Sequence, residues 1–195
     1  DYSKGNIYYR SAGNMDYSKE NWNGAISFWL SLDPNTDLTK GYSDPIQITD
    51  VSYNDASIWV DFTDDDPRIF RLGVIGDRDV WNPEGLGEED ELFLPQLAPV
   101  ENPPFATGKW THVLINYTGL NTEKGEASLY LDGELKGTRS SIADPFTWEI
   151  EESNIYLGLG YIGLMDELSL FNRNLSVAEI KALYTLENGV QTILE

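Results

Sequence analysis

Short runs of aromatic and β-branched residues, separated by clusters of Gly, Pro, Asn and Asp, most constrain what this chain can fold into. Runs of this length between turn residues are typical of β-strands. Seven of them occur, at 25–32, 56–62, 68–75, 111–117, 126–133, 154–160 and 163–171. In 111–117, Val113 and Ile115 fall on one face while Leu114 falls on the other. Because both faces carry apolar residues, the pattern favours a sheet stacked inside a sandwich.

The segment LYLDGELKG contains the strongest hairpin signal. Asp132 and Gly133 supply the two residues that a tight primed turn prefers, because glycine tolerates a positive φ. The pattern therefore predicts that the strand before this turn pairs with residues 134–137.

One helix is predicted, close to the C-terminus. Ser176 precedes VAEIKALYTL and Glu179 follows it three residues later, which is the spacing of a capping box. The apolar stripe of this helix consists of Val177, Ile180, Leu183 and Tyr184. Many strands and a single terminal helix predict an all-β fold, a two-sheet antiparallel β-sandwich that forms one domain over residues 1–195.

The charge of the chain restricts its partners. The sequence has 33 Asp and Glu residues against 13 Lys and Arg, for a formal net charge of −20. Such a surface repels phosphate groups and anionic lipids, so nucleic acid is disfavoured as a partner. No apolar run is long enough to cross a bilayer, which argues against membrane insertion. The acidic clusters at 63–67, 87–91 and 150–154 are interpreted as solvated loops, with binding of a hard cation as the alternative.

The segment 76–108 breaks the spacing of the strands. It is rich in proline and acidic residues and is too long for an ordinary connection. Segments of this kind are typically functional or poorly ordered loops. We therefore predict a long loop here.

Four segments together resemble a laminin G-like, concanavalin A-type jelly roll. They are GAISFWLSL at 24–32, KWTHVLINYTG at 109–119, ASLYLDGELKGTRS at 127–140 and YIGLMDELSLFNRNLSVAEIKALY at 161–184. Their order and spacing match that family over nearly the whole chain. The resemblance implies the jelly-roll fold and says much less about the ligand, since one fold serves many functions.

The resemblance also implies a structural calcium ion (Ca2+). In related lectins and glucanases the acid at the position of Asp166 often helps to hold calcium, together with backbone carbonyls from the N-terminal segment and from the loop after the first long strand. These regions correspond to 11–18 and 39–45, so Asp16 and Asp44 are further candidates for side-chain ligands.

Asp166 has alternatives to calcium. Asp166 and Glu167 are adjacent in a predicted strand, so they cannot both point into one core. Asp166 could instead accept hydrogen bonds from backbone amides or pair with Arg173 or Arg10. Glu167 could face solvent or orient a neighbouring group.

The chain is predicted not to be an enzyme. Glucanases of this architecture carry two Glu residues that flank an Asp on one strand. Glu88 and Asp90 have the required gap, but the second Glu is missing, and 149–152 lacks the Asp. The single histidine, His112, has no partners for a triad or a zinc site and is interpreted as a structural hydrogen-bonding group. An acidic chain with one histidine also disfavours a polysaccharide lyase.

A noncatalytic carbohydrate-binding module is the main functional hypothesis. Sugars stack on aromatic rings and bond to planar polar groups. We predict a binding patch for a polysaccharide or glycan on the concave sheet or its rim, formed by Trp59, Asp61, Arg71 and Trp81. Each Trp could instead cover a loop or fill the sandwich.

A protein-interaction or adhesion module of laminin G-like type is the alternative function. Such a module would use the loops around a calcium ion, whereas a degraded glucanase scaffold would need catalytic acids. The resemblance implies a secreted or cell-surface location, within a larger bacterial protein.

Overall fold

The computed structural model describes residues 7–15, 21–50, 56–76, 97–140, 148–149, 151–186 and 189. Its elements are β1 (Ile7–Arg10), β2 (Trp22–Ser31), α1 (Pro34–Asp37), β3 (Ser43–Thr49), β4 (Ile58–Phe62), β5 (Phe70–Val74), β6 (Leu97–Val100), β7 (Thr111–Leu120), β8 (Glu126–Leu131), β9 (Glu134–Ser140), β10 (Asn154–Leu159), β11 (Leu164–Phe171) and α2 (Val177–Tyr184). The strands form a six-stranded sheet in the order β1-β10-β3-β4-β5-β6 and a five-stranded sheet in the order β11-β2-β7-β8-β9. This confirms the predicted all-β sandwich.

The core lies between the two sheets. All the strand pairings within the described ranges are antiparallel. Successive side chains of a strand point to opposite faces, so each strand sends every second residue inwards. Ile58, Val60 and Phe62 of β4 are buried in the core, as are Phe28 and Leu30 of β2. The residues between them are therefore carried on the outer faces of the sandwich.

The predicted hairpin is confirmed. Asp132 has a φ of 52° and Gly133 a φ of 74°, which are the left-handed values that a primed turn requires. Strand β9 pairs with β8 from Glu134 to Ser140, so the hairpin is longer than the sequence pattern indicates.

Strands β1, β3 and β6 were missed by the sequence patterns. Strand β6 lies inside the segment 76–108, which corrects the prediction of one continuous loop there; residues 77–96 lie outside the described ranges. Pro99 within β6 hides the strand signal, because proline cannot donate to a ladder. It is tolerated since β6 is the edge of its sheet.

Helix α2 covers the outer face of the five-stranded sheet. Ile180 and Leu183 pack with Ala25, Leu114 and Tyr130 in a cluster separate from the main core. The predicted stripe is only partly right, because Val177 at the first turn is 61% exposed. Neither helix of the described residues is long and apolar enough to span a membrane.

The N-terminus of α2 has the predicted capping box. The hydroxyl of Ser176 accepts a hydrogen bond from the backbone N–H of Glu179, and the Glu179 carboxylate accepts one from the backbone N–H of Ser176. Arg173 donates to the same carboxylate through Nη2, at 2.6 Å from Oε1. The helix start is thus held by three neighbouring polar groups.

Ser176→Ala should lower the free energy of unfolding by about 1 kcal/mol, because an N–H of the first turn loses its acceptor. Urea denaturation followed by circular dichroism measures the change. Ser176→Thr keeps the acceptor and is the control, which should remain close to the wild type. Equal losses in both variants would contradict the importance of the cap.

Candidate functional site

Three of the four residues of the predicted glycan patch come together on one face. The core-facing residues of β4 and β5 include Val60 and Leu72, so Trp59, Asp61 and Arg71 lie on the outer face of the six-stranded sheet. Asp61 and Arg71 are directly opposite each other in the ladder. Trp81, the fourth predicted residue, lies outside the described residues.

Asp61 and Arg71 form a doubly bonded ion pair. Nε of Arg71 lies 2.9 Å from Oδ1 of Asp61, and Nη2 lies 2.6 Å from Oδ2. The indole Nε1–H of Trp59 donates to the same Oδ2 at 3.1 Å. Asp61 is 4% exposed and Arg71 is 7% exposed. A buried planar pair of this kind is rigid, because two parallel hydrogen bonds fix the orientation of both groups.

Trp59 packs on the sheet rather than projecting from it. A Cβ atom at Gly73, its ladder partner, would lie 2.0 Å from the indole ring, so only glycine leaves room for the ring there. Ala56, Ile75 and Leu97 complete a small apolar cluster around it. Trp59 is 3% exposed. The Trp59 ring is therefore buried within the patch and does not offer an exposed surface on which a sugar could stack.

The exposed aromatic ring at this patch belongs to Tyr42, which the sequence reasoning missed. Tyr42 is 47% exposed, and Cζ of Arg71 lies 5.1 Å from the centre of its ring. A guanidinium at this distance is attracted by the ring and restrains its orientation. The sequence signal was a tyrosine in the turn-rich stretch KGYSDP, which the family resemblance had assigned to calcium instead.

Arg68 anchors the loop that carries Tyr42. Its guanidinium donates to the carbonyl oxygens of Gly41 at 2.8 Å and Thr39 at 2.6 Å, and also to that of Thr63. The carboxylate of Asp64 accepts a hydrogen bond from the N–H of Gly41 at 2.7 Å. The loop is thus tied to the turn between β4 and β5, and Tyr42 is held beside Arg71.

Asp44 lies beside this patch at the start of β3. Burial raises the pKa of the Asp44 carboxyl well above its usual value of 3.8; the nearby Asp61 adds to the rise, and Arg71 opposes it. The protonated form is therefore favoured over a wider pH range than for an exposed Asp. A protonated carboxyl can donate a hydrogen bond as well as accept one.

Two of the three residues predicted to bind calcium lie within the described ranges, and the two sheets carry one each. Asp44 lies on β3 of the six-stranded sheet and Asp166 on β11 of the five-stranded sheet, while Asp16 is outside the described residues. The carbonyls of the 39–41 loop accept hydrogen bonds from Arg68, which supplies positive charge there. No three His, Asp or Glu side chains in the described part of the chain could hold a metal ion together.

Asp166 and Glu167 can both avoid the core because strand β11 is irregular at this point. The pairing of β11 with β2 shifts between Asp166 and Ser169, and Glu167 has a φ of 54°. Asp166 is exposed, and its Oδ1 accepts a hydrogen bond from the N–H of Glu167 at 2.8 Å. The Glu167 carboxylate lies against Gly189, where a Cβ atom would be 1.8 Å from Oε1. Neither acid therefore needs to enter the core.

His112 is a hydrogen-bonding group of the fold, as predicted. It is 1% exposed, and its Nε2 lies 2.8 Å from the hydroxyl oxygen of Ser27. Burial lowers its pKa to about 4, against a smaller opposing effect of Asp132. The imidazole is thus neutral at physiological pH. It packs beside the rings of Trp29 and Tyr184, which also stack on each other.

A laminin G family model, described as the concanavalin A-like lectin/glucanases superfamily, matches residues 9–181. The chain belongs to this superfamily, which accounts for the two antiparallel sheets. No curated protein sequence matches the chain.

Several solved structures share the fold. Trypanosoma rangeli sialidase is 17% identical with a TM-score of 0.59, covering 87% of this chain and 24% of its own. A second structure is domain 4 of AbnA, a GH43 extracellular arabinanase from Geobacillus stearothermophilus, in complex with arabinotriose. It is 16% identical with a TM-score of 0.51, and the match covers 85% of this chain and 68% of that chain. The botulinum neurotoxin serotype C1 binding domain is 13% identical with a TM-score of 0.54, covering 84% and 36%. At these identities the likeness establishes the fold, and this chain spans about a third or less of the sialidase and toxin chains.

Asp44→Asn should remove a pH dependence of stability. Because the folded protein holds the Asp44 proton more tightly than the unfolded chain, the free energy of unfolding falls as the pH rises from 3.8 to the raised pKa. The Asn variant has no such proton, so its free energy of unfolding lacks this part of the decrease with pH. Urea titrations of both proteins across that pH range measure the difference. Parallel curves would contradict the burial of the carboxyl.

Proposed function

We propose that this protein is a noncatalytic carbohydrate-binding module that holds a glycan on the outer face of the six-stranded sheet. The observation that carries the proposal is the exposed ring of Tyr42, stacked beside the rigid Asp61–Arg71 pair. An aromatic ring next to fixed planar polar groups suits a sugar, because the apolar face of the sugar stacks while its hydroxyls bond to the polar groups.

The two outer faces of the sandwich differ in their chemistry. Helix α2 already covers the outer face of the five-stranded sheet through Ile180 and Leu183. The outer face of the six-stranded sheet instead carries polar and aromatic side chains on neighbouring strands. The strong negative charge of the chain favours neutral over acidic glycans, because like charges repel.

The state of the acids supports binding without catalysis. A retaining glycosidase needs one carboxylate free to attack the sugar and a second to transfer a proton. Both oxygens of Asp61 are engaged by Arg71, and Trp59 bonds to one of them. Asp61 is therefore poorly placed to act as a nucleophile, and its partner Arg71 serves to orient it.

We infer further that the module belongs to a larger secreted or cell-surface protein. The AbnA domain of the same fold is one part of an extracellular arabinanase. A binding module of this type would keep its parent protein on a polysaccharide.

Tyr42→Ala should weaken glycan binding about tenfold or more, because the stacking contact with the sugar is lost. A glycan array of neutral oligosaccharides, followed by calorimetry with the best ligand, measures the effect. Tyr9→Ala is the matched control: Tyr9 is 50% exposed, similar to the 47% of Tyr42, but lies on the edge strand β1. It should bind like the wild type.

The same pair of variants tests the second candidate function. Ile7 is 60% exposed and Tyr9 is 50% exposed on β1, an edge strand that could add a strand from a protein partner. No glycan binding by the wild type, together with a protein ligand lost in Tyr9→Ala and kept in Tyr42→Ala, would replace the glycan proposal with this one.

For calcium we propose a narrower site than the sequence predicts, at the exposed Asp166 with backbone carbonyls. A cation bound only to the folded protein raises the free energy of unfolding, by about 2.7 kcal/mol at 100 times its dissociation constant. Melting curves in excess calcium and in EDTA measure this, and Asp166→Asn should lose the difference. Identical curves for the wild type would contradict calcium binding.

A further inference from the structure

The amide side chain of Gln47 is buried without a hydrogen-bond partner. Gln47 lies on β3 and is 1% exposed. Within the described part of the chain, neither its Oε1 nor its Nε2 has a hydrogen-bond partner. Burying an amide in this way is unfavourable, because it loses its hydrogen bonds to water and gains none in exchange. A side chain kept in such a state calls for an explanation in terms of water, an ion or a ligand.

Gln47 lies on the same outer face as the proposed glycan patch. Its neighbours Ile46 and Ile48 point into the core, so its own side chain points outwards. In the ladders it is directly opposite Trp59 on one side and Tyr156 on the other. Trp59 bonds to Asp61, and Asp61 to Arg71. Polar and aromatic groups therefore follow one another from Tyr42 at the rim to Tyr156.

A second unpaired amide oxygen lies close to Gln47. Oδ1 of Asn154 on β10 is buried without a partner, while the Nδ2 of that residue donates to the carbonyl of Glu152 at 3.2 Å. Asn154 and Tyr156 both face away from the core, because Ile155 between them is buried in it. The face thus offers one amide donor group and two amide acceptors that no described residue of the chain engages.

We propose that Gln47, assisted by Asn154, is the group that recognises sugar hydroxyls in this site. The inference rests on the proposed function and adds its specificity. Each hydroxyl both donates and accepts a hydrogen bond, so two adjacent hydroxyls match the Oε1 and Nε2 of one amide. A neutral amide provides no counter-charge for an acidic sugar, and the net charge of −20 repels one. The ligand class is therefore a neutral glycan that presents adjacent hydroxyls.

The length of the face indicates an oligosaccharide. Arg71 on β5 and Tyr156 on β10 are three strand spacings apart, which is about 14 Å. This is longer than one sugar ring.

Gln47→Leu tests the inference, because leucine is similar in volume to glutamine and lacks both polar atoms of the amide, Oε1 and Nε2. Its affinity for the best neutral oligosaccharide of a panel that includes arabinotriose should fall about tenfold or more, since two hydrogen bonds are lost. Its melting temperature should stay equal to that of the wild type or rise, since the unpaired amide is gone. In the wild type, the Gln47 side-chain amide signal, assigned by its loss in the variant, should shift when sugar is added.

Asn116→Leu is the contrasting control. Asn116 lies on β7 in the other sheet, and its amide is satisfied by both backbone groups of Leu175, at 3.0 and 2.8 Å. This variant should lose thermal stability and keep its affinity for sugar. Comparing Gln47→Leu with Asn116→Leu separates the loss of an amide without a described hydrogen-bond partner from the loss of one that is hydrogen-bonded to the backbone.

The possible outcomes separate the role of Gln47 from the proposed glycan-binding function. Sugar binding that depends on Tyr42 but is unchanged in Gln47→Leu would overturn the role of Gln47 and leave the proposed function intact. A lower melting temperature of Gln47→Leu with unchanged binding would show that the amide holds a structural water instead. No binding of any glycan by the wild type would overturn both.

Discussion

The structure depends on one constraint: two antiparallel sheets share a single apolar layer. Alternate residues of every central strand fill that layer, as Ile58, Val60 and Phe62 do in β4. The side chains between them have to lie on an outer face, whatever their chemistry. This is why Trp59 and Asp61, one residue to either side of Val60, end up beside each other and away from the core.

The two outer faces meet the same requirement in different ways. On the five-stranded sheet, an apolar helix covers Leu114 and Tyr130 and buries His112 as a neutral side chain. On the six-stranded sheet, an ion pair between Asp61 and Arg71 is buried instead. Burying charge is favourable only when the partners are well oriented, which the two parallel hydrogen bonds provide. The first face is thus stabilised by apolar burial and the second is organised around polar groups.

Two arginines organise the rim beside the patch. The guanidinium of Arg68 donates hydrogen bonds to carbonyl oxygens of the 39–41 loop and of Thr63. Arg71 orients Asp61 and the ring of Tyr42. A guanidinium suits both tasks, because its donors lie in one plane and it stays charged at all physiological pH values. The rim beside the patch is therefore ordered by side chains of the chain itself.

Local sequence patterns are enough to assign the class of fold. Alternating apolar runs, the Asp132–Gly133 turn and the capping box at Ser176 are local signals, so the sandwich, the hairpin and α2 could be read without coordinates. Strand β6 could not, because Pro99 weakens a signal that only its edge position rescues. The sequence also placed Trp59, Asp61 and Arg71 on one face, since the period of a strand determines this.

Which groups of that face meet depends on long-range strand pairing. Gln47, Trp59 and Tyr156 are opposite one another through the pairing of strands that are far apart in the chain. Tyr42 reaches Arg71 only because Arg68 ties its loop to a distant turn. Exposure is likewise a property of the assembled fold: Trp59 is buried and Tyr42 is exposed, although both are aromatic residues beside the same ion pair. Long-range pairing and burial leave no periodic trace in a sequence, which is why the composition of the site had to come from the structure.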